Sequence, residues 1–250
     1  MKRKVVVCGG SRGIGAACIK DLSENNFLPI CISRSPGEIK SFIDNGMAIF
    51  EPCDLTNAAD RRSVISKVIE NHNIWGLVNN ASGPSTGSVI DTNSEKYLAA
   101  FETHLFASND WARALYPNFL KQGEGRIVNI ISVTAKVPLE NMCVSNTLRG
   151  AMLNWSKTLS KEFGRHNINV NNVLPGYTET DRLLEVIKNA SAKESILESE
   201  YREKLVSQIP LRRFGRPEEL ASVVRFLLSQ DSSYVNGVSI PVDGGWTTSI

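Results

Sequence analysis

Short runs of β-branched and other apolar residues alternate along this chain with longer stretches whose apolar positions recur at the spacing of an amphipathic helix. Each apolar run is five or six residues long and is bounded by polar or glycine-containing turns, which is typical of buried strands. The pattern predicts seven strands, at residues 4–8, 29–33, 48–52, 75–79, 126–131, 169–173 and 238–242.

The regular alternation of strands and helices indicates the α/β fold class. Neighbouring parallel strands need right-handed crossovers of a dozen or more residues, and the helical stretches here supply them. We therefore predict one Rossmann-like doubly wound sheet of about seven parallel strands, with helices on both faces. Such a sheet binds its ligand beyond the carboxyl ends of its strands.

We predict a single domain spanning residues 1–250, because nothing in the sequence divides the chain. Helical patterns run over residues 16–25, 94–122 and 141–165, and no repeat or Pro, Gly or Ser-rich linker divides the chain. A charged, helical insertion at residues 181–208 has two interpretations, a solvated surface helix or a lid over the substrate.

Composition favours a compact protein that binds small molecules. The net charge is +2, 42% of the residues are hydrophobic, and no Lys or Arg run follows the first four residues. We therefore expect no nucleic-acid or membrane partner.

The first apolar run is too short for a signal peptide. The five cysteines are scattered without a C-x-x-C pair, which predicts buried thiols in the cytoplasm and no metal site.

A glycine cluster follows the first predicted strand and opens the first predicted helix. Glycines at positions 9, 13 and 15 permit a tight turn and the close approach of a pyrophosphate to the helix N-terminus. The spacing is not G-x-G-x-x-G, and such a cluster can also be a plain strand-to-helix turn. Later segments of the chain decide between these interpretations.

Those later segments follow the ends of the predicted strands. They are Asp54-Leu55, Asn79-Asn80-Ala81-Ser82, Ile127-Val128-Asn129, Pro175-Gly176 with Thr180, and Val242-Asp243-Gly244-Gly245. With the glycine cluster, the whole chain resembles the short-chain dehydrogenase/reductase family. Cys8 stands for the threonine of the family fingerprint T-G-x-x-x-G-x-G, and Ser82 for the last glycine of N-N-A-G.

The resemblance implies a dinucleotide cofactor. Asn79 is expected to steady neighbouring strands, Asn80 and Ala81 to lie beside the adenosine ribose, and Thr180 to reach the nicotinamide carboxamide. Turn or capping roles are the alternative. The cofactor-binding residues implied in this way are Gly9, Ser11, Arg12, Gly13, Ile14, Gly15, Arg34, Asp54, Leu55, Asn80, Ala81, Arg149, Pro175, Gly176 and Thr180.

The residues after the second predicted strand favour NADP(H) over NAD(H). An acidic residue there would bind the ribose 2′-hydroxyl and repel a 2′-phosphate, but this chain has Ser33-Arg34-Ser35. Arg34 and Arg12 can grip a phosphate bidentately, although either one alone is also compatible with a solvated surface arginine.

The catalytic positions implied by the resemblance are only partly matched. Ser132 stands in register with the family serine that holds the substrate oxygen; a helix-capping role is the alternative. Thirteen residues later, the family motif Y-x-x-x-K is replaced by a segment that begins at Ser145 and ends at Arg149. Serine is a far weaker acid than tyrosine, and arginine stays protonated, so this pair can bind but cannot relay a proton.

His104 is a candidate for the missing acid. It lies on the predicted helix 94–122 where the family has the asparagine that holds a relay water, and histidine exchanges protons near neutral pH. A histidine packed in a helix interface is the competing interpretation. General acid catalysis is worth about 10²–10⁴-fold, so the loss of the tyrosine is expected to slow reduction unless another donor replaces it.

The resemblance is closest to an atypical subgroup near the 3-oxoacyl-acyl-carrier-protein reductases. It implies an NADP(H)-dependent oxidoreductase that transfers hydride between nicotinamide and a carbonyl or alcohol substrate, assembled as a homotetramer or homodimer through the helices at 94–122 and 141–165. Two alternatives stay open. One is a dinucleotide-binding pseudoenzyme, and the other is a different reaction in the same pocket, such as enoyl reduction.

Overall fold

The computed structural model describes residues 2–248 and contains one sheet of seven parallel strands. Strands β1 to β7 span Arg3–Cys8, Phe27–Ser33, Ile49–Pro52, Ile74–Asn79, Gly125–Ile130, Ile168–Pro175 and Ser239–Val242. Their order across the sheet is β3-β2-β1-β4-β5-β6-β7. The chain winds outward from β1 in both directions, so a crevice opens beyond the carboxyl ends of β1 and β4. The predicted doubly wound α/β fold is confirmed.

Helices cover both faces of the sheet, which is why its central strands are almost continuously apolar. Alternate residues of β1 point to opposite faces: Val5 and Val7 join one buried cluster, and Val6 and Cys8 join the other. The helices that follow are numbered α1 to α9. They span Gly13–Glu24, Lys40–Asp44, Ala58–Asn71, Ser94–Phe101, Ala107–Gln122, Cys143–Gly164, Asp181–Glu194, Glu198–Ser207 and Pro217–Leu228.

The predicted helix 94–122 is interrupted by one wide turn. Residues Glu102–Phe106 form a π-helical turn between α4 and α5, in which the Ala107 N–H reaches the Glu102 carbonyl. Arg61 of α3, which is 1% exposed, anchors this turn. Its guanidinium pairs with Glu102 at 2.5 Å and with Asp110 at 2.9 Å. The apolar periodicity continues through the turn, so it does not indicate the interruption.

The charged segment 181–208 forms two helices rather than one. Helix α7 ends where Ser195 adopts a positive φ of 55°, and α8 then folds back against α7. The pair encloses an apolar cluster of its own, built from Leu183, Ile187, Leu205, Ile209 and Phe214. Because α7 follows the carboxyl end of β6, this helical pair stands at the predicted ligand edge of the sheet.

A row of buried amides crosses the sheet below that edge. Asn79 donates to Asn129 Oδ1 at 2.8 Å, which confirms its expected role of joining neighbouring strands. Asn129 donates to Asn172 Oδ1 at 3.0 Å, and Asn172 donates to the Ser239 hydroxyl at 2.9 Å. Successive partners occupy paired positions on β4, β5, β6 and β7. Ser156 of α6 donates to Asn172 at 2.6 Å and closes the network.

All five cysteines are free thiols, and four of them are buried. No helix within residues 2–248 has both the length and the apolarity needed to cross a bilayer. The same residues contain no cluster of three or more His, Cys, Asp or Glu side chains with metal-binding geometry.

Candidate active site

The glycine cluster forms the tight turn that the sequence predicts at the carboxyl end of β1. Gly9 has a φ of +61°, a conformation that side chains disfavour. A Cβ on Gly15 would lie 2.1 Å from the Gly9 carbonyl oxygen. Asn80 donates from Nδ2 to that same oxygen at 3.0 Å and ties the loop to β4. The Ile14 side chain packs against the adjacent core cluster.

The N-terminus of α1 is partly satisfied by a carboxylate of the chain itself. The Gly13 N–H donates to Glu38 Oε1 at 3.1 Å, while the Glu38 N–H donates to the Ser11 carbonyl at 2.9 Å. The N–H groups of Ile14 and Gly15 donate to no acceptor among the described residues. Free amides at a helix N-terminus attract anions, so this turn fits a phosphate group.

Two arginines stand near this turn. Arg34 follows β2, Arg12 precedes α1, and both side chains are exposed. Asp54, after β3, has a pKa below its usual value because Thr56 donates to it from its N–H and its hydroxyl, with a smaller contribution from the charge of Arg34. The arrangement presents positive charge at the end of β2.

The segment after β6 packs closely against the glycine turn and the last strand. A Cβ on Gly176 would lie 2.6 Å from Asp243 Cβ, so only glycine fits beside that residue. Pro175 ends the strand. Thr180 is the N-cap of α7, where its hydroxyl accepts the Leu183 N–H at 3.3 Å. A Cβ on Gly13 would come within 3.2 Å of Thr180 Cγ2, so the two loops meet across the crevice.

Ser132 is half-buried just beyond β5. Its Oγ accepts the Thr134 N–H at 3.1 Å and the Thr134 hydroxyl at 3.0 Å. It thus caps the short 3₁₀ turn Val133–Ala135, as the alternative interpretation proposed. An oxygen that accepts two hydrogen bonds still carries its own proton, and that proton has no acceptor among the described residues. Ser132 therefore retains a donor for a ligand oxygen.

Ser145 and Arg149 lie one turn apart on the buried face of α6, exposed by 5% and 7%. Arg149 donates from Nη1 to the Ile130 carbonyl at 3.4 Å, and its Nε has no acceptor among the described residues. Burial lowers the pKa of Arg149 to about 10, so it is charged near neutral pH. Asn146 clamps the preceding loop through its contacts with the Leu139 backbone.

His104 lies in the π-helical turn beside Arg149. Together with Leu55, Asn80 and Ala81, both residues line a small pocket of about 10 Å³. Burial, and to a lesser extent the charge of Arg149, lowers the pKa of His104 to about 3, although a backbone hydrogen bond with Ser82 partly opposes these effects. His104 is therefore a neutral imidazole near pH 7, able to donate only from its N–H.

This burial predicts a pH-dependent stability that depends on His104. An unfolded histidine has a pKa of about 6.5, so below that pH His104 binds a proton in the unfolded chain but not in the folded chain. The free energy of unfolding therefore has its full value above about pH 6.5. It decreases as the pH falls toward 3, by up to about 1.4 kcal/mol per pH unit. In denaturant unfolding, the free energy of unfolding of His104→Gln is expected to decrease less steeply than that of the parent between about pH 6.5 and 4.

The exposed His166 provides the matched control. His166→Gln is expected to retain the slope of the parent protein over the same pH range. An unchanged slope in His104→Gln would show that the buried imidazole is not the source of the acid sensitivity.

Two charged residues of the site are missing from the sequence-based prediction. Glu38 caps α1 from the short 3₁₀ turn Gly37–Ile39, and Arg182 of α7 donates to the Pro84 carbonyl at 2.8 Å, which ties α7 to the loop after β4. Their only sequence signal is position, since Glu38 lies shortly after the predicted strand 29–33 and Arg182 lies at the start of the charged segment 181–208. The large groove of about 600 Å³ along α8 and residues 212–216 contains none of the predicted site residues.

Known proteins match this chain over nearly all of its length. The family model described as enoyl-(acyl carrier protein) reductase matches residues 9–247. The NADPH-dependent reductase BacG of Bacillus subtilis (strain 168) is 32% identical over 258 residues, which cover 100% of this chain and 99% of BacG. The 3-oxoacyl-[acyl-carrier-protein] reductase FabG of Chlamydia pneumoniae is 29% identical, with 98% and 97% coverage.

A solved structure of a reductase has the same fold as this chain. The crystal structure of YwfH, described as an NADPH-dependent reductase involved in bacilysin biosynthesis, superposes with a TM-score of 0.93 at 29% identity and covers 100% of both chains. The resemblance inferred from the motifs is thereby confirmed, and this chain belongs to the short-chain dehydrogenase/reductase family.

Proposed function

We propose that this protein is an NADP(H)-dependent oxidoreductase that transfers hydride between nicotinamide and a carbonyl or alcohol substrate. The observation that carries the proposal is the glycine turn at the head of α1, where the N–H groups of Ile14 and Gly15 lack acceptors among the described residues and where Gly13 approaches Thr180. The similarity to BacG and YwfH, both described as NADPH-dependent reductases, supports NADP(H) as the cofactor.

Cofactor binding is assigned to three groups of residues. The turn from Gly9 to Gly15 receives the pyrophosphate, because its free amides and glycine surfaces permit close approach. Arg12 and Arg34 receive the 2′-phosphate, since no acidic residue follows β2 directly and both guanidiniums are exposed. The remaining implied contacts are Ser11, Asp54, Leu55, Asn80, Ala81, Arg149, Pro175, Gly176 and Thr180, with Arg149 reaching the nicotinamide ribose. When bound, the reduced nicotinamide supplies the hydride.

Ser132 and Arg149 are assigned to the substrate side. Ser132 has an uncommitted hydroxyl proton with which to hold a substrate oxygen. Ser145 and Arg149 occupy the positions at which the family resemblance places tyrosine and lysine. The charge of Arg149 stabilises negative charge that develops on the substrate. His104 is the remaining candidate donor, and its single N–H must exchange the Ser82 backbone for the substrate to act in this way.

Cofactor titration is the first test of this function. Calorimetry is expected to give a lower Kd for NADPH than for NADH. Arg34→Ala is expected to raise the NADPH Kd about tenfold, the effect of losing a charge-assisted phosphate contact, while the NADH Kd stays within about twofold. The exposed Arg165 serves as the control, and Arg165→Ala is expected to change neither value. An NADH Kd at or below that for NADPH would contradict the proposal.

Turnover completes this test. Consumption of NADPH is followed with a panel of ketones, oxo acids and α,β-unsaturated carbonyl compounds, so that enoyl reduction is included. Ser132→Ala is expected to lower turnover about 10²-fold, as the loss of one oxyanion donor does elsewhere. If the parent consumes no NADPH but the double variant Ser145→Tyr with Arg149→Lys does, the chain is a dinucleotide-binding pseudoenzyme.

We further propose a cytoplasmic homotetramer or homodimer that forms through α4, α5 and α6. Apolar side chains on α4, the π turn and α5 face solvent in the single chain, among them Leu98, Phe106 and Leu120. Contact between copies would remove this apolar surface from water.

A further inference from the structure

Arg149 is a buried cation without a carboxylate partner among the described residues. Thirteen ion pairs join residues of the described chain, and none of them includes Arg149. Its Nε lacks an acceptor, and its one hydrogen bond there, to the Ile130 carbonyl, is long. Removing a charge from water without pairing it is costly. The site is therefore suited to an anion that the chain does not supply.

A second guanidinium faces Arg149 across Gly83. A Cβ built on Gly83 would lie 4.0 Å from Nη2 of Arg149 and 4.0 Å from Nε of Arg182, so these two nitrogens are within 8 Å of each other. Gly83 itself leaves the space between them unfilled. An anion of carboxylate size placed there would stand between two positive charges and be attracted by both.

Arg182 is held in place by contacts that leave its Nε available. Its Nη2 donates to the Pro84 carbonyl at 2.8 Å, and its Nη1 pairs with Glu185 at 3.0 Å. A guanidinium presents its N–H groups in a planar fork that matches a carboxylate. Both arginines also stand at the reacting edge of the sheet: Arg149 is one turn from Ser145, and Arg182 lies two residues after Thr180.

We propose that the substrate carries a carboxylate that binds between Arg149 and Arg182, over Gly83. The substrate class is then oxo acids in their free form, rather than esters or thioesters, which are neutral at the acyl group. The identity of the reacting carbonyl rests on the proposed function, whereas the anion site rests on the two arginines alone.

Matched acids and esters test this site by binding. The probes are 2-oxopentanoate and 4-oxopentanoate, each compared with its methyl ester by calorimetry, with NADPH present and absent. At least one acid is expected to bind about tenfold more tightly than its ester, as expected for charge-assisted pairing. Arg149→Met and Arg182→Gln are each expected to reduce that preference to less than about threefold. Arg165→Gln, at an exposed position, is expected to preserve it.

A substitution at Gly83 tests the same site through folding stability. Gly83→Asp places a carboxylate between the two guanidiniums, whereas Gly83→Asn adds a side chain of the same size without the charge. The backbone there does not need a positive φ. The Asp variant is expected to melt at a higher temperature than the Asn variant and to lose the acid preference. An Asp variant that melts at or below the temperature of the Asn variant would overturn the proposal.

The remaining outcomes separate this proposal from the proposed function. Equal binding of acid and ester by the parent overturns the carboxylate site. A tenfold loss of NADPH affinity in both arginine variants, with the acid preference unchanged, assigns the arginines to a cofactor phosphate and also overturns it. If the parent neither binds nor consumes NADPH but still prefers the acid in an arginine-dependent manner, the oxidoreductase proposal fails and the anion site stands.

Discussion

Gly15→Ala is expected to abolish measurable NADPH binding and to lower the free energy of unfolding by about 1–3 kcal/mol, the usual range for overpacking. The new Cβ would stand 2.1 Å from the Gly9 carbonyl oxygen. That oxygen belongs to backbone at a φ of +61° and accepts a hydrogen bond from Asn80. The turn must therefore open, and the free amides of Ile14 and Gly15 lose the positions that fit a phosphate.

Gly150→Ala is the matched control for this result. Gly150 lies inside α6, and no described atom outside its own helical turn stands within 4 Å of the position that a Cβ would occupy. Alanine there is expected to raise the free energy of unfolding by up to about 1 kcal/mol, from helix propensity and reduced unfolded-state entropy. Denaturant unfolding and NADPH calorimetry measure both variants. An NADPH Kd for Gly15→Ala within threefold of the parent value would refute the assigned role of this turn.

Asn129→Leu is expected to lower the free energy of unfolding by about 3 kcal/mol, because its removal leaves the Asn79 amide without its acceptor and each orphaned buried group costs about 1–3 kcal/mol. Asn129 is fully buried and stands at the centre of the row of amides that crosses the sheet. Because β5 leads directly to Ser132, we also expect NADPH-dependent turnover to fall.

The control for this substitution is Asn154→Leu. Asn154 is exposed on α6, and its side chain bonds only to the local Gly150 carbonyl at 3.2 Å among the described residues. Its replacement is expected to change the free energy of unfolding by less than about 0.5 kcal/mol. A comparable small change for Asn129→Leu would mean that the row of amides contributes little to stability.

The sequence predicts the strands well because their signal is local. Each of the seven predicted strands overlaps an observed strand, and the ends differ by at most two residues. Apolar runs between turn residues are sufficient for that assignment. The glycine turn was predictable for the same reason, since its backbone requirements act on neighbouring residues.

Features that depend on distant partners could not be predicted in this way. The pairing of Arg61 with Glu102 joins side chains 41 positions apart. The approach of Arg149 and Arg182 to Gly83 likewise needs the folded sheet. Local patterns also cannot show that burial beside Arg149 keeps His104 neutral. A neutral imidazole has no extra proton to donate near pH 7, so this protonation state limits His104 as a general acid.

The π-helical turn has a consequence for how this chain aligns with its relatives. A turn closed from Ala107 to Glu102 holds one residue more than an α-helical turn. Deleting one residue there would rotate α4 by about 100° relative to α5 and carry Glu102 away from Arg61. A relative with an uninterrupted helix is one residue shorter at this point. In an alignment with such a relative, the gap is expected within residues 102–106, and in this chain Arg61 holds the widened turn by pairing with Glu102 inside it and Asp110 beyond it.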